Sequence, residues 1–339
     1  MRALICRRWC AFEELQIEDV PAPPIAPGTV RIEVHYASLS FAINLMVAGK
    51  YQHRSPLPFI PGKEVAGVVT EVGPDVADLR VGDRVVSIVE DGGYAEQVIA
   101  PAEMVYPVSD GIELRSAIYL PLSYGTAFTA LHWRARIAAG ETLLVHGAAG
   151  GVGLAATQLG RACGARVIAT ASTEARRAVA LENGASLALP SEGFRDAVKA
   201  ATDGRGADVV FDPVGGSVFD ESLRSVGQDG RIVLIGFASG TIPQIPANIL
   251  LVKNLTVHGF YFGRYTGTGA IDDRKAQAPR VRKMMADLFA LCAAGRIAPK
   301  VSESFPFPLY RDAMARLSSR ESVGKVVLEI RASHQATRS

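Results

Sequence analysis

The stretch ETLLVHGAAGGVGLAATQLGRACGARVIATAST, residues 141–173, has the order strand, glycine-rich turn, helix and strand. Ala148, Gly150 and Gly153 occupy the three positions of the GxGxxG dinucleotide-binding pattern, with alanine in the first. Gly150 allows the backbone to approach a pyrophosphate, and Gly153 allows the helix to pack against the strand. The helix N-terminus offers N–H groups to phosphate, so the stretch predicts a dinucleotide site. The predicted contacts of this turn are Ala149, Gly150, Gly151, Val152 and Gly153.

The end of the next strand indicates which dinucleotide binds. An NAD site places Asp or Glu there, on the ribose hydroxyl, whereas this chain has Ser172 and Thr173, followed by Arg176 and Arg177. A guanidinium binds phosphate through a fork of donors, so these four residues predict NADPH, with its 2′-phosphate as their ligand. Glu174 counts against this prediction, because a carboxylate repels phosphate. The alternative is that Ser172 or Thr173 caps the following helix while the arginines are solvated.

Composition limits the class of protein. The chain has 339 residues, of which 48% are hydrophobic and 21% charged, with a net charge of +2. This length and apolar fraction predict two folded domains and exclude a disordered chain. The near-neutral charge gives no case for a nucleic-acid or membrane partner. The chain has no readable transmembrane run, and its start, MRALICRRWCAFEELQI, lacks the pattern of a signal peptide, so a cytoplasmic protein is expected.

The pattern of predicted strands and helices changes near residue 123. Residues 1–120 contain short β-rich runs separated by turn-rich segments. From about residue 123, short apolar runs alternate with glycine-rich turns and helical patterns, which indicates a parallel sheet covered on both faces. Further on, the sequence predicts a loop over 263–278, a helix at about 279–294, a closing strand KVVLEI and a frayed tail over 332–339. The apolar runs lie at 142–146, 166–170, 208–211, 231–235 and 255–261.

Six short motifs occur in order along the chain. They are PGKEVAGVV (61–69), VGDRV (81–85), LPLSYGTA (120–127), VHGAAGGVG (145–153), DPVGG (212–216) and GKVVL (324–328). With these motifs the chain resembles the medium-chain dehydrogenase/reductase superfamily and, within it, the zinc-free NADPH:quinone oxidoreductase (zeta-crystallin-like) group. The resemblance implies an α/β fold in which residues 1–122 and 260–339 form a GroES-like β-barrel catalytic domain. A Rossmann doubly wound parallel-sheet domain, residues 123–259, is inserted between the two segments.

The positions that hold zinc in other members of the superfamily carry different residues here. Those members have a Cys, a Gly-His-Glu segment and a separate four-Cys lobe. This chain has Ser40 at the cysteine position, Gly62-Lys63-Glu64 at the second, and no such lobe between 90 and 115. An ammonium group does not ligate zinc, so we expect no metal. Without a Lewis acid an alcohol is hard to oxidise, whereas a quinone or an α,β-unsaturated carbonyl can still accept a hydride.

The resemblance also implies site residues. Thr126 is expected beside the nicotinamide, with a helix cap as the alternative. Phe237 and Ser239, in the turn GFASG, are expected along the nicotinamide ribose. Lys325 is expected as a further cofactor contact, or as an ordinary charge at a strand end.

The segment SLSFAINLMVAGKY, residues 38–51, matches the family's NFxDxLxxxGxY pattern only in part. Ser40 replaces the asparagine and Ile43 the aspartate. Tyr51 is the predicted hydroxyl donor toward a substrate carbonyl, with a packing role as the alternative, and Ser40 is a second candidate. The predicted catalytic residues are therefore Tyr51, Ser40 and Thr126. The predicted substrate cleft consists of Phe41, Asn44, Lys63, Tyr261 and Arg264, of which Lys63 could instead pair with Glu64.

These features together predict an NADPH-dependent oxidoreductase that reduces a quinone or an α,β-unsaturated carbonyl without a metal. One alternative is an enoyl-thioester (acrylyl-CoA-type) reductase, for which Arg264 and the loop 263–278 are the only hints. Another is a protein that binds NADPH without catalysis. The strand LTVHGFYF, residues 255–262, could pair with its symmetry mate at the sheet edge, so a homodimer is expected.

Overall fold

The computed structural model describes residues 1–52, 54–267, 272–319 and 322–331. The chain divides into two compact units. Unit 1 comprises Met1–Leu122, Gly263–Ala293 and Pro299–Ser339, and unit 2 comprises Ser123–Phe262 and Ala294–Ala298. The boundaries predicted from the sequence are 122/123 and 259/260, and the placement of Ala294–Ala298 in unit 2 is not among the predictions.

Strands and helices follow one another along the chain as follows. The strands are β1 (Arg2–Ile5), β2 (Gln16–Asp19), β3 (Thr29–Ser38), β4 (Glu64–Val72), β5 (Arg84–Ile88), β6 (Gln97–Pro101), β7 (Val105–Pro107), β8 (Thr142–Val145), β9 (Arg166–Thr170), β10 (Leu187–Leu189), β11 (Ala207–Asp212), β12 (Val226–Leu234), β13 (Thr256–Gly259), β14 (Val301–Pro306) and β15 (Lys325–Glu329). The α-helices are α1 (Phe41–Val47), α2 (Leu114–Ala117), α3 (Gly125–Phe128), α4 (Gly151–Ala162), α5 (Glu174–Glu182), α6 (Arg195–Ala201), α7 (Ser217–Ser225), α8 (Ala247–Lys253), α9 (Gly263–Thr266), α10 (Arg274–Ala293) and α11 (Tyr310–Ser318). Among the described helices, none combines the length and the apolar character that crossing a membrane requires.

Unit 1 is built on a seven-stranded sheet in which β14, β15, β3, β4, β5 and β7 are neighbours in that order and β6 also pairs with β3. Alternate residues of β3 are buried, because Val30, Ile32 and Val34 face the core while their neighbours are partly exposed. Strand β15 pairs antiparallel with β3, with Val327 opposite Ser38. This pairing is how the two ends of the chain come to share one sheet.

Unit 2 is built on a six-stranded sheet with the order β10-β9-β8-β11-β12-β13. All five strand pairs are parallel, and each residue of β8 is buried, as expected for a sheet covered on both faces. The chain runs from β8 to β9 and β10 on one side, then crosses to β11 on the other. The strand order therefore reverses at β8, and open α/β sheets bind ligands beyond the carboxyl ends of the strands at such a point.

The prediction of a loop over residues 263–278 is wrong in its extent. Residues Gly263–Thr266 form α9, and α10 starts at Arg274, where Asp272 accepts a hydrogen bond from the Arg274 N–H at 3.0 Å. This Asx-type contact satisfies an N–H at the start of the helix, a local bond that hydrophobic periodicity does not reveal. The central part of the predicted loop, 268–271, and the predicted tail, 332–339, lie outside the described residues.

Candidate functional site

The turn between β8 and α4 is closed by its own backbone. Gly147 has φ +58°, a left-handed conformation that favours glycine, and its carbonyl accepts the Gly150 N–H at 2.9 Å. A Cβ atom on Gly153 would lie 2.3 Å from the Gly147 carbonyl oxygen, a backbone atom. Only glycine therefore allows α4 to approach the turn this closely, as the sequence predicts.

Helix α4 begins at this turn with its N-terminus at the carboxyl end of β8. Gly150 is its N-cap residue, and the Leu154 N–H donates to the Gly150 carbonyl at 2.8 Å. Glycine occupies the first and third positions of the helix, Gly151 and Gly153. Such an N-terminus attracts phosphate through its N–H groups and its dipole, so the residues of the turn fit the pyrophosphate of a dinucleotide.

The segment after β9 lies beside this turn, because β9 pairs with β8. The Thr173 hydroxyl caps α5 by accepting the Arg176 N–H at 3.3 Å, and Ser172 is exposed. The Arg177 guanidinium reaches back to the Ala171 carbonyl, with an Nη1–O distance of 3.4 Å. Capping by Thr173, one of the alternatives from the sequence, is thus observed. The exposed Ser172 and the Arg177 guanidinium at this strand end fit a 2′-phosphate.

Two further turns meet at the same edge of the sheet. The Asp212 Oδ1 atom accepts the N–H groups of Val214 and Gly215 at 2.8 and 3.0 Å, which fixes the turn after β11. The turn after β12, which carries Phe237 and Ser239, is bonded to it through Ala238 N–H to Pro213 O and Ser239 N–H to Val214 O, at 3.1 and 3.0 Å. Asp212 was missed as a site residue, although an aspartate that ends an apolar strand before Pro-Val-Gly-Gly is a readable turn signal.

A buried histidine, His146, connects β8, β9 and α7 near this edge of the sheet. His146 Nδ1 lies 2.9 Å from Thr170 Oγ1, and its Nε2 lies 2.7 Å from Ser222 Oγ. Burial lowers the pKa of His146 to about 4, so the ring is neutral at physiological pH. It joins β8, β9 and α7 as a structural residue of the core.

Thr126 and Tyr261 also belong to unit 2. Thr126 is half-buried inside α3, whose N-cap residue is Tyr124, so Thr126 is not a helix cap. The Tyr124 hydroxyl donates to Gln158 Oε1 of α4 at 2.7 Å, which connects this segment to the helix of the glycine turn. Tyr261 follows β13 and is partly exposed.

A buried carboxylate organises the centre of unit 1. Glu64 is fully buried, and its Oε2 atom accepts the Ser38 hydroxyl at 2.6 Å and faces Lys325 Nζ at 2.8 Å. Its Oε1 atom accepts the Leu122 N–H at 2.7 Å. Lys325, predicted to contact the cofactor, is only 5% exposed. Its ammonium neutralises Glu64, a pairing that the sequence does not reveal.

Lys63 lies next to Glu64 but has different surroundings. Its side chain is 8% exposed, and its Nζ atom has no hydrogen-bond partner in the described parts of the chain. The ammonium lies 5.8 Å from the centre of the Tyr51 ring. The Lys63–Glu64 ion pair, an alternative from the sequence, is therefore not formed, because the Glu64 side chain is held by Lys325.

The segment that departs from the family pattern forms α1. Ser40 is its N-cap residue, without a side-chain cap hydrogen bond, and Phe41 is exposed. Ile43, which replaces the pattern's aspartate, is buried in the apolar core, where a carboxylate would be unpaired. Asn44 donates from Nδ2 to Ser318 Oγ at 3.3 Å.

Arg264, predicted to line the substrate cleft, forms an ion pair within its own segment. Its Nε atom lies 2.6 Å from Asp273 Oδ2, and this hydrogen bond raises the pKa of the guanidinium. The arginine charge is thus neutralised locally. No group of three or more His, Cys, Asp or Glu residues with the arrangement of a metal site occurs among the described residues.

Comparisons with known proteins agree with this architecture. The "Alcohol dehydrogenase GroES-like domain" family matches residues 26–110, and the "Zinc-binding dehydrogenase" family matches residues 151–275. Quinone oxidoreductase-like protein 2 of Rattus norvegicus is 38% identical over 333 residues, which cover 97% of this chain and 92% of the relative.

Two solved structures extend the comparison. A mycobacterial protein complexed with NADPH superposes with a TM-score of 0.88 at 31% identity, over 97% of this chain and 100% of that one. The quinone oxidoreductase of Escherichia coli complexed with NADPH gives a TM-score of 0.86 at 28% identity, over 97% and 100%. The chain therefore belongs to the medium-chain dehydrogenase/reductase superfamily, in its zinc-free quinone oxidoreductase group.

Proposed function

We propose that this protein is an NADPH-dependent oxidoreductase that reduces a quinone or an α,β-unsaturated carbonyl without a metal ion. The observation that carries the proposal is the closed Gly147–Gly153 turn at the reversal of strand order, with Arg176 and Arg177 in the first turn of the helix that follows the neighbouring strand. NADPH, when bound, supplies a hydride. The protein then has to bind and orient the acceptor, exclude water and stabilise the negative charge that develops on its oxygen.

A panel of acceptors under chelating conditions tests this proposal. NADPH oxidation is followed with tetramethyl-1,4-benzoquinone, 2-cyclohexen-1-one, an enoyl-CoA ester and, in the reverse direction, ethanol with NADP⁺, all in excess EDTA. We expect turnover of the quinone or the enone and none of ethanol. Alcohol turnover that is present in a parallel assay without EDTA and absent in EDTA would contradict the proposal. Turnover of the enoyl-CoA ester alone would favour the thioester reductase, for which the neutralised Arg264 now gives little support.

Arg176 and Arg177 should set the preference for NADPH over NADH. Removing both guanidinium groups in Arg176→Ala/Arg177→Ala should weaken NADPH binding about 10- to 100-fold, since charge-assisted hydrogen bonds contribute about 1.5–3 kcal/mol. NADH binding should change little, because NADH lacks the 2′-phosphate. Fluorescence titration of both nucleotides measures this, with Arg166→Ala in β9 as the matched control. Equal affinities for NADPH and NADH in the unmodified protein would refute this assignment.

We also propose that the protein is a homodimer formed through β13. This strand ends the sheet of unit 2, and exposed edges pair readily with a second copy. The preceding helix α8 exposes Leu251 and Val252 at 77% and 69%. Leu251→Glu/Val252→Glu should convert the dimer into a monomer in sedimentation velocity, while Leu309→Glu, an exposed leucine of unit 1, should not. A monomeric unmodified protein at micromolar concentration would exclude this assembly.

A further inference from the structure

The backbone around Lys63 is fixed by the loop that follows β5. The Val89 N–H donates to the Lys63 carbonyl at 2.9 Å, the Gly93 N–H to the Gly62 carbonyl at 3.0 Å, and the Tyr94 N–H to the Pro61 carbonyl at 2.8 Å. Gly62 has φ +103°, and a Cβ there would lie 2.7 Å from the Tyr94 nitrogen. The backbone of Lys63 and of the two residues before it is therefore held by this loop.

The Lys63 amine has no hydrogen-bond partner among the residues that the structure describes. An ammonium group has three donors, and at Lys63 none of them reaches an acceptor in the described residues. The carboxylate of the adjacent Glu64 is held by Lys325, Ser38 and the Leu122 N–H. Burying a cation without a hydrogen-bond acceptor destabilises a fold unless a ligand supplies the acceptor. The missing acceptor would be supplied by a ligand oxygen.

The surroundings of Lys63 act on the pKa of its ammonium group in opposite directions. Burial lowers its pKa from the usual 10.5, while the carboxylates of Glu90 and Asp91, in the loop after β5, raise it in part. The ring of Tyr51, in the loop after α1, faces the ammonium and stabilises its charge. Lys63 is therefore a stronger acid than a free lysine.

We propose that Lys63 is the proton donor to the carbonyl oxygen of the acceptor, an inference that rests on the proposed function. As a hydride with its electron pair reaches the acceptor, a π-bond pair moves onto the carbonyl oxygen. An N–H bond of Lys63 breaks and an O–H bond forms at that oxygen, which leaves a neutral amine that regains a proton from water. The reduced acceptor thus gains one hydride and one proton. The cation occupies the sequence position where zinc-dependent relatives have the histidine of Gly-His-Glu.

The pH dependence of turnover tests this assignment. For the unmodified protein, kcat/KM for tetramethyl-1,4-benzoquinone should fall as the pH rises through the pKa of Lys63, which burial lowers from its usual value. Lys63→Met should lower kcat/KM about 10²- to 10⁴-fold, the usual contribution of general acid catalysis, and should abolish this alkaline fall. Lys63→Arg should retain part of the rate without the fall, because a guanidinium stays charged.

Controls separate a chemical role from a structural one. Lys283→Met, at an exposed lysine of α10, should behave as the unmodified protein. NADPH affinity and melting temperature should be kept in Lys63→Met. If Lys63→Met retains the full rate and the same pH profile, Lys63 is not the proton donor, although the proposed function stands. If the unmodified protein reduces none of the acceptors, the proposed function itself fails.

A spectroscopic titration tests the role of Lys63 without measuring turnover. 4-Nitrophenol is a probe whose ionised form resembles a reduced carbonyl oxygen and absorbs visible light. The Lys63 ammonium should favour the phenolate, so the bound probe should ionise at lower pH than in solution. This shift should be absent in Lys63→Met and retained in Lys63→Arg. Identical titrations of the probe with the unmodified protein and Lys63→Met would contradict the inference.

Discussion

Gly153→Ala is expected to abolish tight NADPH binding. The added Cβ would lie 2.3 Å from the Gly147 carbonyl oxygen and 2.8 Å from its carbonyl carbon, so α4 or the turn has to move. Overpacking of this kind costs about 1–3 kcal/mol. A displacement of about 1 Å within a binding turn can lower function roughly 100-fold. Fluorescence titration with NADPH and thermal unfolding of the variant measure the two effects.

Gly259→Ala is the matched control for this substitution. Gly259 ends β13, and a Cβ there would meet no atom within 4 Å. The control should therefore keep the NADPH affinity and the melting temperature of the unmodified protein. If Gly153→Ala also binds NADPH with unchanged affinity, the turn does not hold the pyrophosphate.

Lys325→Met is expected to destabilise the protein by about 3–5 kcal/mol, because it leaves the buried Glu64 carboxylate without its cation. The two groups lie 2.8 Å apart with side-chain exposures of 6% and 0%. Urea denaturation measures the change in the free energy of unfolding. The double variant Glu64→Gln/Lys325→Met should be more stable than Lys325→Met alone, since it removes the uncompensated charge.

The Arg282→Met variant is the control for Lys325→Met, because it removes an exposed ion pair. Arg282 Nη1 lies 3.0 Å from Asp78 Oδ2 at the surface of unit 1, and such pairs contribute about 0–1 kcal/mol. Its loss should hardly change the denaturation curve. Equal destabilisation by Lys325→Met and Arg282→Met would mean that the buried pair does not stabilise unit 1. A Lys325→Met variant of normal stability that no longer binds NADPH would restore the predicted cofactor contact.

The glycine turn and the helix cap beside it could be predicted from the sequence because their signals are local. The Gly147–Gly153 turn, the Thr173 cap and the two arginines each lie within one strand-turn-helix segment, where spacing alone determines which atoms meet. The parallel sheet was likewise readable, because strands covered on both faces are continuous apolar runs such as Leu143–Val145.

The interior of unit 1 could not be predicted, because it depends on strand register. Ser38, Glu64 and Lys325 are brought together by the antiparallel pairing of β3 with both β4 and β15. Residues distant in sequence then share one buried cluster. A shift of one residue would turn Lys63 instead of Glu64 toward Lys325, since side chains alternate between faces. The sequence therefore offered Lys63 as an alternative partner of Glu64 and Lys325 as a cofactor contact or strand-end charge, whereas the register pairs Glu64 with Lys325.

A single-turnover reaction tests the central claim, hydride transfer from NADPH to a conjugated acceptor without a metal, most directly. The protein is mixed with less than one equivalent of NADPH in EDTA and then with tetramethyl-1,4-benzoquinone, and the absorbance of NADPH is followed. The absorbance should decay in one phase, much faster than without protein, and more slowly when the transferred hydrogen of the nicotinamide is deuterium. No protein-dependent decay, or a decay that deuterium leaves unchanged, would contradict the account.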